Sequence, residues 1–378
     1  MKELFGSCEN GQQAYLYTIT GGGLTAVVSD LGATLVKLFV PDREGNLADV
    51  VLGYDTPDAY VKGSEFLGAT VGRNSNRMKD AAFSMNGRRY QLEDNDGGNN
   101  LHSGLFPYKD RIWDVVRCSE NEIALRLMSP HADQGFPGNA VITVTYTLEP
   151  MGTLAITYEG VSDQDTVFNM TNHSYFNLAG HDKPELAMDQ ILSMPARCYT
   201  METAQSIPTG EMRNVEGTPM DFRVPKALGR DLHEDYESLV FQQGYDHNYE
   251  VFANPCATLH DPHSGRTMAV ITDMPGVQLY TANTMGREVG KNGVIYEKFS
   301  GVCLETQYYP DSVNHPEWKQ PFFKAGEKYR SVTKFMFSDL QTGDLSKADP
   351  RFLCILPSSG RPFFGCIFSA DMVNYRVL

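Results

Sequence analysis

The sequence predicts an all-β protein, a large antiparallel β-sandwich with few short helices. Apolar and polar residues alternate over several stretches, turn sequences separate these stretches, and helical periodicity is scarce. Period-two alternation is typical of strands that turn one face toward a core. A parallel sheet needs a long crossover, usually a helix, between its strands, and the chain has too few helical segments to supply them. These observations favour the antiparallel arrangement.

Three stretches show the clearest alternation. Their apolar positions are Ile123, Leu125 and Leu127, then Ile142, Val144, Tyr146 and Leu148, and finally Leu154, Ile156 and Tyr158. Residues 149–152 (Glu-Pro-Met-Gly) have turn composition, so we expect the last two stretches to form a hairpin. A second hairpin is expected around Asn86-Gly87, because a type I′ turn needs two positive φ angles that these residues tolerate.

Helices are predicted only at Pro57–Lys62 and at 225–232, and both are short. No internal repeat and no Ser/Gly linker is present, which favours one domain over residues 1–340. Residues 341–378 differ from the rest, since their apolar clusters have no clear period and are broken by proline and glycine. We assign this C-terminal segment no function.

Composition excludes several classes of protein. Of the 378 residues, 41 % are hydrophobic and 21 % are charged, and the mean hydropathy is -0.34. This balance can bury a core, and it argues against both wholesale disorder and an integral membrane protein. The net charge of -15 repels phosphate backbones and anionic lipid surfaces. We therefore expect neither nucleic acid nor a membrane as a partner.

The amino terminus turns polar before an apolar stretch of secretory length develops, so we expect a cytoplasmic protein. The cysteines are odd in number, widely scattered and free of any C-x-x-C pair: Cys8, Cys118, Cys198, Cys256, Cys303, Cys354 and Cys366. This pattern fits reduced thiols better than a disulfide framework or a zinc site.

Two predicted strands carry polar side chains where a simple core would have apolar ones. In residues 169–177, alternation places Thr171, His173, Tyr175 and Asn177 on one face, which we interpret as a binding surface. In residues 302–307, the same rule places Glu305 on a face with Cys303 and Gln307. On this pattern alone, an edge or solvent-facing glutamate explains Glu305 equally well.

Further polar clusters lie at 73–77, 99–104 and 244–248 and around Gln278, and each is weak evidence alone. Taken together and in order, these segments resemble the galactose mutarotase (aldose 1-epimerase) family from about Leu24 through Phe337. The most specific stretches are Gly72-Arg73-Asn74-Ser75-Asn76-Arg77, Asn100-Leu101-His102-Ser103-Gly104, Thr171-Asn172-His173-Ser174-Tyr175-Phe176-Asn177-Leu178, Asp246-His247-Asn248, and Leu304-Glu305-Thr306-Gln307 with Pro310-Asp311 and Asn314-His315-Pro316. Asn100 and Ser103 depart from the family's usual Ser and Gly.

The resemblance implies a sandwich of the galactose mutarotase type with a sugar cleft on one sheet. It also implies interconversion of the α and β anomers of free aldohexoses such as galactose and glucose, without a metal or another cofactor. Glu305 is then the base, His173 the acid, and His102 a second active-site histidine that supports or positions the sugar. The residues that would bind the substrate are Asn76, Arg77, Asp246 and Gln278.

This chemistry explains the residue types. Anomerisation removes a proton from the C1 hydroxyl and adds one to the ring oxygen, so that the ring opens and recloses on either face. A glutamate with an ordinary pKa near 4.3 is ionised at neutral pH, and an imidazole with an ordinary pKa near 6.5 can give and retake a proton. We expect a nearby carboxylate to favour the charged form of His173.

Other functions were weighed against the same residues. Gly21, Gly22 and Gly23 read as a strand connection, without the strand-to-helix context of a nicotinamide site. His260 and His263 flank a proline, which favours a turn over a metal site. A glycoside hydrolase could use Asp246 and Glu305 as its carboxylate pair. A non-catalytic sugar-binding module and a hexose-phosphate epimerase are the remaining alternatives, and the latter needs cations beyond Arg77. Oligomeric state and preferred aldose stay open.

Overall fold

The computed structural model describes residues 1–338, so the predicted C-terminal segment 341–378 lies outside the described residues. Its strands in chain order are β1 (Lys2–Ser7), β2 (Gln13–Gly21), β3 (Leu24–Ser29), β4 (Thr34–Pro41), β5 (Leu47–Asp49), β6 (Thr70–Val71), β7 (Arg77–Met78), β8 (Ala82–Met85), β9 (Arg88–Gln91), β10 (Asn100–Leu101), β11 (Asp114–Cys118), β12 (Glu122–Ser129), β13 (Ala140–Glu149), β14 (Thr153–Ser162), β15 (Thr166–Val167), β16 (Thr171–Asn172), β17 (Ile191–Ser193), β18 (Cys198–Glu202), β19 (Pro208–Asn214), β20 (Lys226–Ala227), β21 (Asp246–Glu250), β22 (Ala257–His260), β23 (Thr267–Thr272), β24 (Gly276–Tyr280), β25 (Glu288–Val289), β26 (Ile295–Tyr296), β27 (Cys303–Gln307), β28 (Phe322–Phe323) and β29 (Tyr329–Ser338).

The helices of this part of the chain are short. They are the α-helices α1 (Pro57–Lys62) and α2 (Glu237–Gln242) and the 3₁₀ segments Lys79–Ala81, Tyr108–Asp110, Asp133–Gly135, Pro184–Asp189, Lys291–Gly293 and Ser312–Asn314. Helix α1 was predicted, and its first turn is capped by the Thr56 hydroxyl, which accepts from the Ala59 N–H.

Three large antiparallel sheets make up most of the architecture in residues 1–338, beside five two-stranded pairs. A nine-stranded sheet has the order β11-β12-β13-β14-β29-β23-β22-β17-β20, and two five-stranded sheets have the orders β1-β2-β3-β4-β5 and β19-β18-β21-β24-β27. Strands of the first five-stranded sheet contact β12 and β13 of the large sheet. The all-β prediction of a large antiparallel sandwich with few short helices is therefore confirmed.

Both predicted hairpins are present. Strands β13 and β14 pair from Ala140 opposite Ser162 to Glu149 opposite Thr153, around the predicted turn. Strands β8 and β9 are joined by Asn86 and Gly87 at φ 54° and 75°, the two positive angles of a type I′ turn.

The helix predicted at 225–232 is wrong. Lys226 and Ala227 instead form β20, an edge strand that pairs with Ile191 and Leu192 of β17. The Lys226 ammonium is buried and bonded to the Asp231 carboxylate at 2.7 Å, a contact that holds this segment in a tight turn. Helix α2 was not predicted. It is as short as α1, but it lacks the initial proline and the side-chain cap that mark the start of α1.

The main core lies among the three large sheets. It contains the inward positions of the three alternating stretches together with residues of β2–β4, β21, β24, β27 and β29. Sheet faces that bury this much apolar surface fix the strand registers, because a shift by one residue would turn the apolar set toward solvent.

The described residues belong to one compact unit that spans Met1–Gln341, and the division of the chain near residue 340 stays a prediction. Within residues 1–338, no helix has both the length and the apolar character that crossing a membrane requires. The described cysteines, Cys8, Cys118, Cys198, Cys256 and Cys303, are all free, while Cys354 and Cys366 lie outside the described residues.

Candidate active site

One face of the sheet that contains β21, β24 and β27 carries most of the predicted site. Residues directly opposite each other in an antiparallel pair point to the same face. Gln278 of β24 lies opposite Glu305 of β27, and Tyr280 lies opposite both Cys303 and Asp246. The neighbouring positions Val277, Leu279 and Leu304 point to the other face, into the core. Alternation thus separates a polar face from a core face, as predicted for 302–307.

The segment 169–177 is a regular strand only at Thr171 and Asn172, which pair with β6. The chain then turns, because the Asn172 side-chain oxygen accepts from the backbone N–H of Ser174 at 3.1 Å and from its hydroxyl at 2.5 Å. The prediction of one polar strand face through Asn177 is therefore wrong. His173 and Tyr175 do reach the site, whereas the Asn177 side chain donates to the Lys183 carbonyl in the loop.

A cavity of about 210 Å³ opens on this polar face. This volume is below the roughly 300–1,000 Å³ of pockets for drug-sized ligands, so the cavity suits a small molecule. Six of the seven predicted site residues line it: Asn76, Arg77, His102, His173, Asp246 and Glu305.

His173 and Glu305 form a pair at the cavity wall. The distance from Nε2 of His173 to Oε2 of Glu305 is 3.7 Å, and the two residues are 6 % and 3 % exposed. Strand β27 is an end strand of its sheet, yet the glutamate is buried, which excludes a solvent-facing glutamate. On the other side of the imidazole, Nδ1 lies 3.6 Å from the sulfur of Cys303.

Burial pushes both members of the pair toward their neutral forms. It lowers the pKa of His173 to about 4. It also raises the pKa of Glu305 well above its ordinary range, and the negative charge of Asp246 raises this pKa further, whereas the positive charge of Arg77 lowers it. The expectation that a carboxylate would favour the charged form of His173 is therefore wrong for the empty cavity. Burial is the main cause of the lowered pKa, and the charge of Glu305 is not among its causes.

His102 stands beside His173, with the ring centroids 5.4 Å apart. Its Nδ1 accepts from the backbone N–H of Asn76 at 3.2 Å, so the proton of the neutral ring is on Nε2. Burial, followed by the neighbouring His173 and Arg77, lowers the pKa of His102 well below its ordinary value. His102 is therefore a neutral hydrogen-bond donor at the cavity.

The backbone of Arg77, the first residue of β7, orients the Asn76 side chain. The Asn76 side-chain oxygen accepts from the backbone N–H of Arg77 at 2.8 Å, which leaves its amide nitrogen for a ligand. The Nε of Arg77 is bound to the Asp96 carboxylate at 2.8 Å, which leaves its terminal nitrogens free to donate. The cavity thus combines neutral hydrogen-bond donors and the Arg77 cation with the carboxyl groups of Asp246 and Glu305. Such a mixture of donors and acceptors suits a polyol.

Gln278 is the one predicted site residue outside the cavity lining. Its Nε2 donates to Oδ1 of Asp246 at 2.7 Å, and its Oε1 accepts from Gln307 at 3.1 Å. Ser75 in turn donates to Gln307 at 3.1 Å. With both ends of its amide engaged and 2 % exposure, Gln278 is placed to orient the Asp246 carboxylate rather than to meet a ligand.

Several lining residues were missed by the sequence analysis: Ser64, Glu65, Phe66, Leu101 and Thr284. Glu65 is half-buried, and its carboxylate accepts from the Tyr175 hydroxyl at 3.4 Å. Tyr175 stacks on His173, with centroids 5.0 Å apart, and so links Glu65 to the central pair. Residues 64–66 follow α1 in a loop, where no periodicity marks a side chain as functional.

Within residues 1–338, one group of side chains could ligate a metal ion. One ligand atom from each of His173, Cys303 and Glu305 lies within 4.8 Å of the others. The cysteine, however, is next to Nδ1 of the imidazole and the glutamate is next to Nε2. Donors on opposite ring nitrogens do not converge on one ion, so the arrangement suits proton transfer better than metal binding.

Comparison with known proteins agrees with this geometry. Residues 15–336 match the family model described as aldose 1-epimerase. Galactose mutarotase from Bos taurus is 39 % identical over 312 residues, which cover 81 % of this chain and 89 % of that protein. Aldose 1-epimerase from Escherichia coli K12 is 33 % identical over 337 residues, with 87 % of this chain and 96 % of that protein covered.

Solved structures show the same relationship. The crystal structure of an aldose epimerase homologue from C. elegans superposes with a TM-score of 0.80 at 30 % identity and covers 87 % of this chain and all of that one. Galactose 1-epimerase from Lactobacillus acidophilus gives a TM-score of 0.77 at 26 % identity, with 89 % and 98 % covered. The chain therefore belongs to the aldose 1-epimerase family, and the activity that this membership carries is that of an isomerase.

Proposed function

We propose that the protein interconverts the α and β anomers of free aldohexoses such as galactose and glucose, with Glu305 as base and His173 as acid. The observation that carries the proposal is the buried His173–Glu305 pair, 3.7 Å apart in the wall of a cavity lined by hydrogen-bond donors and acceptors. Acid and base must act on the C1 hydroxyl and the ring oxygen, which are bonded to the same carbon. Two groups this close to each other can reach both atoms of one pyranose.

Burial favours the form of the empty cavity in which the proton shared by the pair is on Glu305 and His173 is neutral, because it raises the pKa of Glu305 and lowers that of His173. Ring opening starts from the other tautomer, with a Glu305 carboxylate and a His173 imidazolium, which has the same number of protons. The carboxylate accepts the C1 hydroxyl proton, the C1 carbonyl forms as the bond from C1 to the ring oxygen breaks, and Nε2 of His173 protonates that oxygen. Reclosure on the other face runs these steps in reverse.

The shifted pKa values favour these transfers. A lowered pKa makes the His173 imidazolium a stronger acid, and a raised pKa makes the Glu305 carboxylate a stronger base. After ring opening the pair is a carboxylic acid beside a neutral imidazole, which is the arrangement that burial stabilises. The cost lies in forming the ionised pair, so we infer that contacts of the sugar offset it.

The remaining residues would hold the sugar. Neutral His102 donates from Nε2, Arg77 donates from its free terminal nitrogens, and Asp246 accepts, with Gln278 orienting it. Asn76 adds an amide nitrogen at the same wall. These groups make hydrogen bonds in both anomers, so they would contribute more to substrate binding than to the proton transfers.

Polarimetry of freshly dissolved α-galactose tests the proposal. We expect wild type to accelerate the approach to equilibrium, and Glu305→Gln or His173→Asn to lower turnover by at least about a hundredfold, the usual contribution of one general acid or base. His260→Asn is a matched control for His173→Asn, because His260 is also buried and lies outside the cavity lining. Its turnover should stay within about threefold of wild type, as expected away from the reacting atoms.

The same preparation separates the alternatives. Release of reducing sugar from an aryl galactoside, with no change in the rate of anomer exchange, would indicate a glycoside hydrolase that uses Asp246 and Glu305. Sugar binding without either activity would indicate a binding module. Normal turnover in both Glu305→Gln and His173→Asn would overturn the assignment of the pair.

A further inference from the structure

The two nitrogens of the His173 imidazole have different neighbours. Nε2 faces Glu305 at 3.7 Å in the cavity wall, and Nδ1 lies 3.6 Å from the sulfur of Cys303. Cys303 is the first residue of β27, points to the same face as Glu305, and is fully buried. The sulfur does not line the cavity, so it contacts the imidazole from behind, as seen from a bound sugar.

We propose that Cys303 is a positioning residue whose sulfur accepts the Nδ1–H of His173, so that Nε2 is the nitrogen that exchanges a proton with the sugar. This inference rests on the proposed function, because it assigns the atom through which His173 acts. It makes Cys303 neither nucleophile nor acid, since the cysteine acts only through the histidine.

The acid form of His173 requires such an acceptor. An imidazolium donates from both nitrogens, and a buried N–H without a partner is destabilising. Among the described residues, the Cys303 sulfur is the side-chain hydrogen-bond partner found at Nδ1. The backbone of His173 also hydrogen-bonds to the ring, which opposes the effect of burial on its pKa. The ring faces and edges of His173 are covered by Phe66, His102, Tyr175 and Tyr280, all at centroid distances of 5.0–6.2 Å.

Sulfur also suits the acid strength of His173. A carboxylate at Nδ1 would stabilise the imidazolium and raise its pKa, whereas a thiol is a weak, uncharged acceptor. Burial raises the pKa of Cys303 well above its ordinary value, so the thiol stays protonated and adds no charge. The titratable groups that face His173 from the packed elements are Glu305, Cys303, His102, Tyr175 and Tyr280. The weak acceptor fixes the tautomer and leaves the proton on Nε2 easy to transfer.

His102 gives an internal reference for this assignment. Its Nδ1 accepts a backbone N–H, so its proton is on Nε2. If Cys303 accepts from His173, the neighbouring histidines hold opposite tautomers, with Nδ1–H on His173 and Nε2–H on His102. Long-range ¹H–¹⁵N correlation spectra distinguish a protonated from an unprotonated ring nitrogen, so one spectrum reports both.

The first experiment records these spectra on the full chain at pH 7, with His173→Asn and His102→Asn used to assign two of the nine histidines. We expect a protonated Nδ1 for His173 in wild type and a shift toward protonated Nε2 in Cys303→Ala. Wild-type spectra with Nε2 protonated on His173 would overturn the proposal, and so would an unchanged tautomer in Cys303→Ala. This readout does not depend on turnover, so it separates failure of this inference from failure of the proposed function.

The second experiment measures kinetics in Cys303→Ala and Cys303→Ser. Loss of one orienting hydrogen bond predicts a kcat about fivefold lower in Cys303→Ala, which is about 1 kcal/mol at 1.36 kcal/mol per tenfold, with KM within about twofold of wild type. The serine oxygen is a stronger acceptor, so Cys303→Ser should restore most of kcat and raise the pKa of His173. Cys256→Ala is the control for lost volume, because Cys256 is also buried and belongs to the main core. Equal kcat in Cys303→Ala and wild type would contradict the positioning role.

Discussion

A direct titration of His173 tests whether burial or the Glu305 charge controls this histidine. The perturbation is Glu305→Gln, which removes the carboxylate while keeping the size of the side chain. Because burial is the main cause of the lowered pKa, we expect His173 to titrate near pH 4 in wild type and within about half a pH unit of that value in the variant.

The free-energy cost of charging His173 follows from the shift of its pKa. Moving the pKa from its ordinary 6.5 to about 4 corresponds to roughly 3.4 kcal/mol at 1.36 kcal/mol per unit. At pH 5, a histidine with a pKa of about 4 is about 90 % neutral, whereas one with an ordinary pKa is about 3 % neutral. The sign is that of a depressed pKa, so His173 is neutral throughout the neutral range and charges only in acid.

The assay is the pH dependence of the His173 ring resonances, recorded on samples that return to their native spectrum at pH 7. A wild-type pKa at or above 6.5 that falls by more than about one unit in Glu305→Gln would refute the reasoning, because it would show that the carboxylate is ionised and holds a proton on the imidazole. Binding of galactose should raise the pKa of His173, if sugar contacts stabilise the ionised pair.

Three further predictions concern binding and stability. Arg77→Ala removes a charged donor and leaves Asp96 unpaired, so KM should rise about 10- to 100-fold, measured by initial rates over a range of galactose concentrations. Gln278→Ala should raise KM about fivefold through loss of the bond that orients Asp246, and an unchanged KM would exclude this role. Burial lowers the pKa of His247 to about 3, so its contribution to the free energy of unfolding is fully present above pH 6.5 and is lost on acidification. Between pH 6 and 4, the free energy of unfolding of His247→Gln, measured with urea, should therefore fall by up to about 1.4 kcal/mol less per pH unit than that of wild type.

The sequence predicted the elements whose information is local. Strands β12, β13 and β14 alternate regularly because one face of each packs on the core, and the β8–β9 hairpin follows from the two residues that tolerate positive φ. The helix expected at 225–232 failed because pairing with β17 and the buried Lys226 ammonium outweigh local propensity. The strand expected through Asn177 failed because the Asn172 side chain bonds to the Ser174 backbone and turns the chain.

The order of the motifs in the sequence predicted which residues form the site. The protonation states of these residues could be inferred only from the fold. Sequence reasoning took Glu305 and His173 as groups in water, with an ionised glutamate and a histidine near pKa 6.5. Their burial depends on the packing of β27 against the segment that begins with β16. The contact between His173 and Cys303 joins residues that are 130 positions apart in the sequence. Which nitrogen of His102 carries the proton depends likewise on a loop 26 residues upstream.

The expected charges of Glu305 and His173 differ from those that burial favours, and this difference changes the energetics of the proton transfers. If Glu305 were ionised and His173 charged at rest, the pair would stabilise itself, and transferring its protons to and from the sugar would be uphill. Burial removes that self-stabilisation, since it opposes both charges. The proton transfers of ring opening then neutralise an ion pair that burial destabilises, whereas in water they would have to neutralise a stable one. The sheet face that carries Cys303, Glu305 and Gln307, packed behind a histidine in a tight turn, buries both groups, and this burial shifts their pKa values in the directions that favour proton transfer.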